Sequence, residues 1–131
     1  MNPVESSIAL DQARALPARY YFGEDMLAHE HDAVFARSWQ LVAHGALLAE
    51  PGDHVVERIG KVPILLVRGK DGVLRAFPNV CRHRAGPLAL CNGKGASALH
   101  CKYHGWTYTL EGQLRSAPEM QGAKDFDVGD I

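Results

Sequence analysis

The sequence is short of cysteine, of excess charge and of long apolar runs. Three cysteines in 131 residues are too few, and odd in number, for the dense disulfide framework of a small secreted domain. The 14 basic and 15 acidic residues give a net charge of -1, which disfavours a nucleic-acid-binding protein because that function needs a basic surface. The longest aliphatic run, Ile64-Leu65-Leu66-Val67, is far too short to cross a membrane.

The first ten residues, MNPVESSIAL, contain an acid and no apolar core segment, so they lack the pattern of a secretory signal. A cytoplasmic protein with neither nucleic-acid nor membrane partners is expected. In that compartment cysteines more often bind metals or carry out redox chemistry than form disulfides. The length predicts a single domain, and contents of 47% hydrophobic and 22% charged residues are ordinary for a globular protein.

Residues 1–38 are predicted to form a helical extension. Three apolar residues spaced i, i+7 and i+8 would share one helix face: Leu27, Val34 and Phe35. The opposite face would carry Asp25, His29 and Asp32. Their spacing could suit a metal ion, but a solvated helix surface is the favoured interpretation.

From residue 39 onward, short apolar runs alternate with turn signals, which predicts a small all-β, antiparallel domain. The run WQLVAHGALL is followed by Pro51-Gly52-Asp53, and the runs HVVERIG and VPILLVRG lead to Lys70-Asp71-Gly72. GWTYTL is joined to QLRSA by Glu111-Gly112. The domain is predicted over residues 39–118, and residues 119–131 are expected to be a polar, loosely held tail.

Two segments of this domain each supply one cysteine and one histidine. Cys81-x-His83 is followed, after seventeen residues, by Cys101-x-x-His104. A glycine stands shortly after each pair, where it allows the backbone to turn tightly around a bound group. Two such loops at one tip of a β domain would place four ligands around one centre.

Three interpretations of the four residues remain open from spacing alone. A structural zinc ion accepts two cysteines and two histidines, but the usual order places both cysteines before both histidines. A [2Fe–2S] cluster with two thiolates on one iron and two imidazoles on the other fits mixed pairs, because each loop then gives one ligand to each iron. Four unrelated loop residues are the third interpretation, which the paired spacing and the glycines disfavour.

The motif resembles the Rieske [2Fe–2S] signature. The surrounding segments, FPNVCRHR and CKYHGWTYTLEGQL, resemble the N-terminal domain of the large subunits of Rieske non-haem iron oxygenases of the ring-hydroxylating type, and the similarity covers residues 20–118. The resemblance implies a Rieske-type [2Fe–2S] cluster. Cys81 and Cys101 would hold the inner iron, and His83 and His104 the outer iron near the surface.

The respiratory branch of the Rieske proteins has an additional cysteine in each loop, and these form a disulfide. The matching positions here are Gly86 and Tyr103, so that disulfide cannot form. The third cysteine, Cys91, is interpreted as a free thiol between the loops. Ala85 stands where the family often has glycine, which predicts a slightly different shape for the first loop.

Other residues near the motif have predicted roles beside the cluster. Trp106, Tyr103 and Pro87 are expected to close off its inner side, with core packing the main role of Trp106. Arg82 and Arg84 are expected either to form part of a docking surface for an acidic redox partner or to be solvated or locally paired.

The resemblance implies electron transfer, as the electron-accepting domain of an oxygenase large subunit. In that family a second domain binds a mononuclear iron through two histidines and a carboxylate. No such set follows residue 118, so residues 119–131 are interpreted as the start of an absent catalytic domain and no oxygenase turnover is expected. A stand-alone Rieske-type ferredoxin is the alternative, and a zinc module the third; the N-terminal extension favours the oxygenase subunit.

The family also implies partners. A ferredoxin or an NAD(P)H-dependent flavin reductase would supply electrons, and neighbouring oxygenase subunits would form a ring, commonly a trimer, with His104 as the exit ligand. The flanking segments resemble those of members that act on quaternary amines such as choline or betaine. No substrate is predicted, because substrate contacts would lie in the second domain.

Overall fold

A computed structural model describes residues 9–120 and 122–131. The chain divides into two compact units, Met1–Trp39 and Gln40–Ile131. The described part of the first unit contains short helices joined by irregular segments, and the second unit contains the strands. The predicted helical extension over residues 1–8 lies outside the described residues. In the described part of the chain, no helix has both the length and the apolarity needed to cross a membrane.

The first unit contains short helices. After a 3₁₀ turn at Leu10–Gln12, helix α1 spans Arg19–Phe22 and helix α2 spans Glu24–Glu30, which widens into a π-helical turn at His31–Phe35. Gly23 is extended between α1 and α2, and two acidic residues begin α2, where the positive end of the helix dipole favours them.

Neither predicted face of this helix is buried within its own unit. Leu27, Val34 and Phe35 are all exposed. Asp25, His29 and Asp32 are exposed as well, as expected of a solvated surface, and the change to π-helical spacing interrupts their common face. Asp32 Oδ1 instead lies 3.2 Å from Nδ1 of the adjacent His31.

The second unit contains two antiparallel three-stranded sheets, which confirms the predicted fold class. The first sheet has the order β1-β2-β3, with β1 at His54–Ile59, β2 at Val62–Arg68 and β3 at Leu74–Pro78. The second has the order β4-β5-β6, with strands at Leu99–His100, Thr107–Tyr108 and Leu114–Ser116. The predicted turn residues precede β1, join β2 to β3 and join β5 to β6.

The run WQLVAHGALL does not form a strand, contrary to the prediction. Its second half is a 3₁₀ turn, Gly45–Leu48, in which the His44 side chain accepts a hydrogen bond from the Ala46 N–H at 3.2 Å. Leu41 is 98% exposed, whereas Leu48 is buried and its carbonyl accepts a hydrogen bond from Arg68 Nε at 2.7 Å. The run therefore anchors one residue in the core instead of alternating along a sheet.

One hydrophobic core extends across both sheets and includes the two motif cysteines. Its buried members are Leu65, Val67, Cys81, Leu88, Leu99, Cys101, Trp106, Tyr108, Leu110 and Leu114. Because strands from both sheets contribute, the cysteine-bearing loops are held by the same packing that joins the sheets.

The tail was expected to be loosely held, and the structure differs. Met120, Phe126 and Ile131 are partly buried against the core, and the chain ends in a 3₁₀ turn at Val128–Asp130. Their three apolar side chains, spread among polar residues, were too widely spaced to form a recognisable period.

Candidate metal centre

The first motif loop is closed by its own backbone. The Cys81 N–H donates to the Gly86 carbonyl at 2.7 Å, and the Ala85 N–H donates to the Cys81 carbonyl at 2.9 Å. Ala85 has φ 56°, in the left-handed region that favours glycine. Alanine at this position therefore adopts a backbone conformation that costs it free energy.

The second loop repeats the same hydrogen bonds. The Cys101 N–H donates to the Trp106 carbonyl at 2.9 Å, and the Gly105 N–H donates to the Cys101 carbonyl at 3.0 Å. Gly105 has φ 77° and takes the place that alanine has in the first loop. The two loops therefore present their cysteines on equivalent turns, although the histidine is second after the cysteine in one and third in the other.

The two thiols are buried and unpaired with each other. Cys81 and Cys101 are each 2% exposed, and neither is in a disulfide. The loops touch where the respiratory branch has its disulfide, since a Cβ built on Gly86 would lie 3.2 Å from Tyr103 Cβ. The same Cβ would lie 3.2 Å from Cys101 Sγ, so glycine leaves space for that sulfur and its surroundings.

The two imidazoles lie together, nearer the surface than the thiols. The ring centroids of His83 and His104 are 4.7 Å apart, with His83 half-buried and His104 exposed. Trp106 stacks on His83 at 4.9 Å and an interplanar angle of 9°, and Tyr103 stacks on His104 at 3.8 Å and 29°.

The aromatic residues therefore support the imidazoles, and the predicted wall on the inner side is only partly correct. Trp106 is buried, in agreement with its predicted core role, but Tyr103 is 63% exposed on the imidazole side. Pro87 is exposed as well.

His83 has a buried ring nitrogen without a hydrogen-bond partner. Its Nδ1 atom is the one buried side-chain nitrogen or oxygen, among the described residues, without a hydrogen bond. Burial, followed by the charges of His104 and Arg84, lowers the pKa of His83. A neutral ring with a buried, unpaired nitrogen is the form of histidine that binds a metal ion.

Tyr108 lies directly against one of the thiols. Its hydroxyl is 3.3 Å from Cys81 Sγ and accepts a hydrogen bond from the Arg82 N–H at 3.1 Å. Burial, then the hydrogen bond with Cys81, raises the pKa of Tyr108 to about 12, so the phenol keeps its proton and can donate it to the sulfur. The sequence analysis did not predict this contact, because Tyr108 and Cys81 are far apart in the sequence.

The donor set fits a two-iron cluster better than a single ion. The motif supplies a pair of buried thiols and a pair of imidazoles nearer the surface, that is, two soft and two borderline donors.

The remaining candidates lie outside this centre. Cys91 is exposed, and His100 is exposed beside buried Leu99 and Cys101, with its Nδ1 2.8 Å from Thr107 Oγ1. Arg84 is exposed, whereas Arg82 donates from Nη1 to the main-chain oxygen of Ile131 at 3.1 Å. For Arg82 the locally paired interpretation is therefore correct.

Comparison with known proteins agrees with this geometry. The model of the Rieske [2Fe-2S] domain family matches residues 38–127. The carnitine monooxygenase oxygenase subunit of Acinetobacter pittii is 41% identical over 117 residues, which cover 89% of this chain and 32% of the relative. The chloroplastic choline monooxygenase of Arabidopsis thaliana is 35% identical over 127 residues, which cover 97% of this chain and 30% of the relative.

A solved structure is also similar. The quaternary ammonium Rieske monooxygenase CntA in complex with its substrate L-carnitine superposes with a TM-score of 0.80 at 40% identity, covering 87% of this chain and 32% of CntA. The present chain thus spans about a third of the length of the relatives it matches.

Proposed function

Because the chain belongs to the Rieske [2Fe–2S] domain family, we propose that Cys81, His83, Cys101 and His104 hold the cluster that the family carries. The observation that carries this proposal is the difference in burial of the donors: the two thiols are buried, whereas the two adjoining imidazoles lie nearer the surface. The thiols would bind the inner iron and the imidazoles the outer iron.

A cluster held by these four residues would supply one-electron transfer, and the protein around it would set the conditions for that transfer. The Tyr108 hydroxyl donates toward Cys81 Sγ, which stabilises negative charge on the sulfur. The stacked Trp106 excludes water from one face of His83, while His104 lies exposed and supports our proposal of an exit ligand.

The domain is homologous to the electron-accepting domain of Rieske oxygenase alpha subunits. The stand-alone ferredoxin is less well supported, because the similarity to carnitine and choline monooxygenases extends over 89% and 97% of the chain, more than the strand-containing unit alone. For the whole protein we propose a quaternary ammonium compound as substrate, the class to which the substrates of these relatives belong.

The partners are proposed from the same relationship. A ferredoxin or an NAD(P)H-dependent flavin reductase would deliver the electron. In the full-length protein, a neighbouring subunit of a trimeric ring would receive it at a mononuclear iron. Exposed basic and aromatic side chains adjoin the two histidines in the sequence, namely Arg84, Lys102 and Tyr103, which suits an acidic donor protein.

Analysis of metal and sulfide tests the proposal. The purified protein should be red-brown and contain two irons and two acid-labile sulfides per chain, with the low average g value in its reduced EPR spectrum that histidine ligation produces. Cys81→Ser and Cys101→Ser should abolish this content, whereas Cys91→Ser, the matched control at an exposed thiol, should retain it. One tightly bound zinc without sulfide would refute the proposal.

A further inference from the structure

The end of the chain contacts the first ligand loop. We refer to residues 126–131 as the C-terminal brace. Nη1 of Arg82, the residue that follows Cys81, donates to the main-chain oxygen of Ile131 at 3.1 Å. The Ile131 side chain is partly buried against the core, which anchors the residue that carries this oxygen.

The start of the brace contacts the second ligand loop. The Phe126 ring lies against the Trp106 ring, with centroids 5.7 Å apart and an interplanar angle of 57°. Trp106 closes the hydrogen-bonded turn of Cys101 through its carbonyl. One short segment therefore reaches both loops, which are joined by no disulfide.

The contact with Phe126 continues to the imidazoles. Trp106 is 4% exposed and stacks almost parallel on His83, whose centroid is 4.7 Å from that of His104. The rings of Phe126, Trp106, His83 and His104 thus form one continuous series. A displacement of Trp106 would alter the orientation of the His83 ring, because stacked rings in a close-packed interior move together.

The brace has local order of its own. The Asp127 side chain accepts a hydrogen bond from the Gly129 N–H at 2.7 Å, which caps the final 3₁₀ turn. The backbone reverses before it at Asp125, which has φ 58°, a conformation that aspartate tolerates better than most residues. The segment is therefore directed back onto the loops by its own sequence.

We propose that Phe126 is a positioning residue for the proposed outer-iron ligand His83, acting through Trp106, and that the brace fastens the two ligand loops where this chain has no disulfide. The inference rests on the proposed function. It predicts that loss of the Phe126 ring loosens the cluster itself, beyond any general loss of stability.

Variants of two phenylalanines separate these effects in the protein loaded with its cluster. Phe77 is partly buried like Phe126 and packs against the same core, but it lies in β3, beside Gly112. Phe126→Ala and Phe77→Ala remove the same ring, so both should lower the unfolding temperature. Phe126→Leu and Phe77→Leu keep most of the volume and serve if the alanine variants do not fold.

The decisive readouts are the rate of cluster release, followed as loss of visible absorbance at a fixed interval below each unfolding temperature, and the reduced EPR spectrum. In the Phe126 variants we expect the cluster to be released about fivefold faster, as loss of one aromatic contact implies. We also expect shifted g values and broader EPR lines. The Phe77 variants should match the wild type in both. Release rates and spectra in the Phe126 variants equal to those of the wild type would overturn this inference, although the proposed cluster would still stand. A wild-type protein without a [2Fe–2S] cluster would refute the proposed function itself.

Discussion

Ala85 is the residue at which the two otherwise equivalent loops differ in backbone cost. It takes a left-handed conformation at φ 56°, where the second loop has Gly105 at φ 77°. A Cβ on Gly105 would meet only ordinary contacts, the nearest being Pro118 Cγ at 3.5 Å. Substitutions at these two positions therefore measure the free-energy cost of the backbone conformation with little contribution from side-chain packing.

Reciprocal substitutions should change stability in opposite directions. Ala85→Gly relieves a left-handed alanine but adds freedom to the unfolded chain, so we expect a gain of about 0.5 kcal/mol in the free energy of unfolding. Gly105→Ala should cost about 1 kcal/mol. Denaturant unfolding measures both, and a loss of stability in Ala85→Gly would contradict the assignment of strain to this residue.

The ligand candidates could be found from sequence because their spacing is local, within four residues in each loop. Tyr108 could not be found, because its partner Cys81 lies 27 residues away and meets it only through the packing of the second sheet. The orphaned Nδ1 of His83 likewise depends on Trp106 covering the ring, a contact between the two loops.

At the scale of elements, the turn before β1 is fastened to the segment between the ligand pairs. Asp53 is buried and its carboxylate accepts hydrogen bonds from the Glu50 N–H at 3.0 Å, Lys94 Nζ at 2.9 Å and the Gly95 N–H at 3.3 Å. The hydrogen bond from Lys94, followed by that from Glu50, holds the pKa of Asp53 below its ordinary value of 3.8. The ionised carboxylate thus reinforces a junction that the antiparallel bridge between His54 and Gly93 also makes.

This carboxylate should make stability depend on pH in the acid range. A group whose pKa is lowered by folding contributes stability above its unfolded value, here 3.8, and loses it as the pH falls through the lower folded value. Asp53→Asn should lower the unfolding temperature by several degrees at pH 6. The difference from wild type should shrink steadily as the pH is lowered below 4.

Glu57→Gln, which alters an exposed carboxylate in β1, is the matched control and should behave like wild type throughout. Acid lability of the cluster affects all three proteins alike and cancels in the comparison. A difference between Asp53→Asn and wild type that does not vary with pH would exclude ionisation of Asp53 as the cause.

The hairpins of both sheets could be predicted, because Asp-Gly and Glu-Gly turns between β-rich runs act locally. The apolar run over residues 39–48 was one of those from which the β domain was predicted, but it forms no strand, since His44 and Gly45 begin a 3₁₀ turn and Leu48 is its one fully buried residue. Apolar content alone does not distinguish a run that pairs with a neighbouring strand from one that anchors a single side chain.

For the whole molecule, the chain is homologous to the electron-accepting domain of Rieske oxygenase alpha subunits and spans about a third of the length of the relatives. Its described residues hold no set of three ligands for a mononuclear iron. We predict that the reduced protein, supplied with oxygen and with carnitine, choline or an aromatic substrate, forms no hydroxylated product beyond one turnover per cluster. Product analysis by mass spectrometry, with an intact carnitine monooxygenase as positive control, measures this.

Repeated turnover would contradict the prediction and redirect attention to Asp25, His29 and Asp32 on the first helical unit. Repeated turnover would also contradict the predicted division into a domain at residues 39–118 and the start of an absent catalytic domain at residues 119–131. The sequence indicated a polar tail because charge and glycine dominate it; the fold instead uses its few apolar side chains against the core, which no local pattern could reveal.

The contrasting positions of the two tryptophans give the protein an internal optical reporter. Trp39 is fully exposed, whereas Trp106 is buried beside His83. An exposed indole emits at longer wavelengths than a buried one, and a nearby iron–sulfur chromophore quenches emission. Fluorescence of the loaded protein should therefore arise almost entirely from Trp39, and a blue-shifted component that appears when iron is removed would report on the packing around Trp106 without any added label.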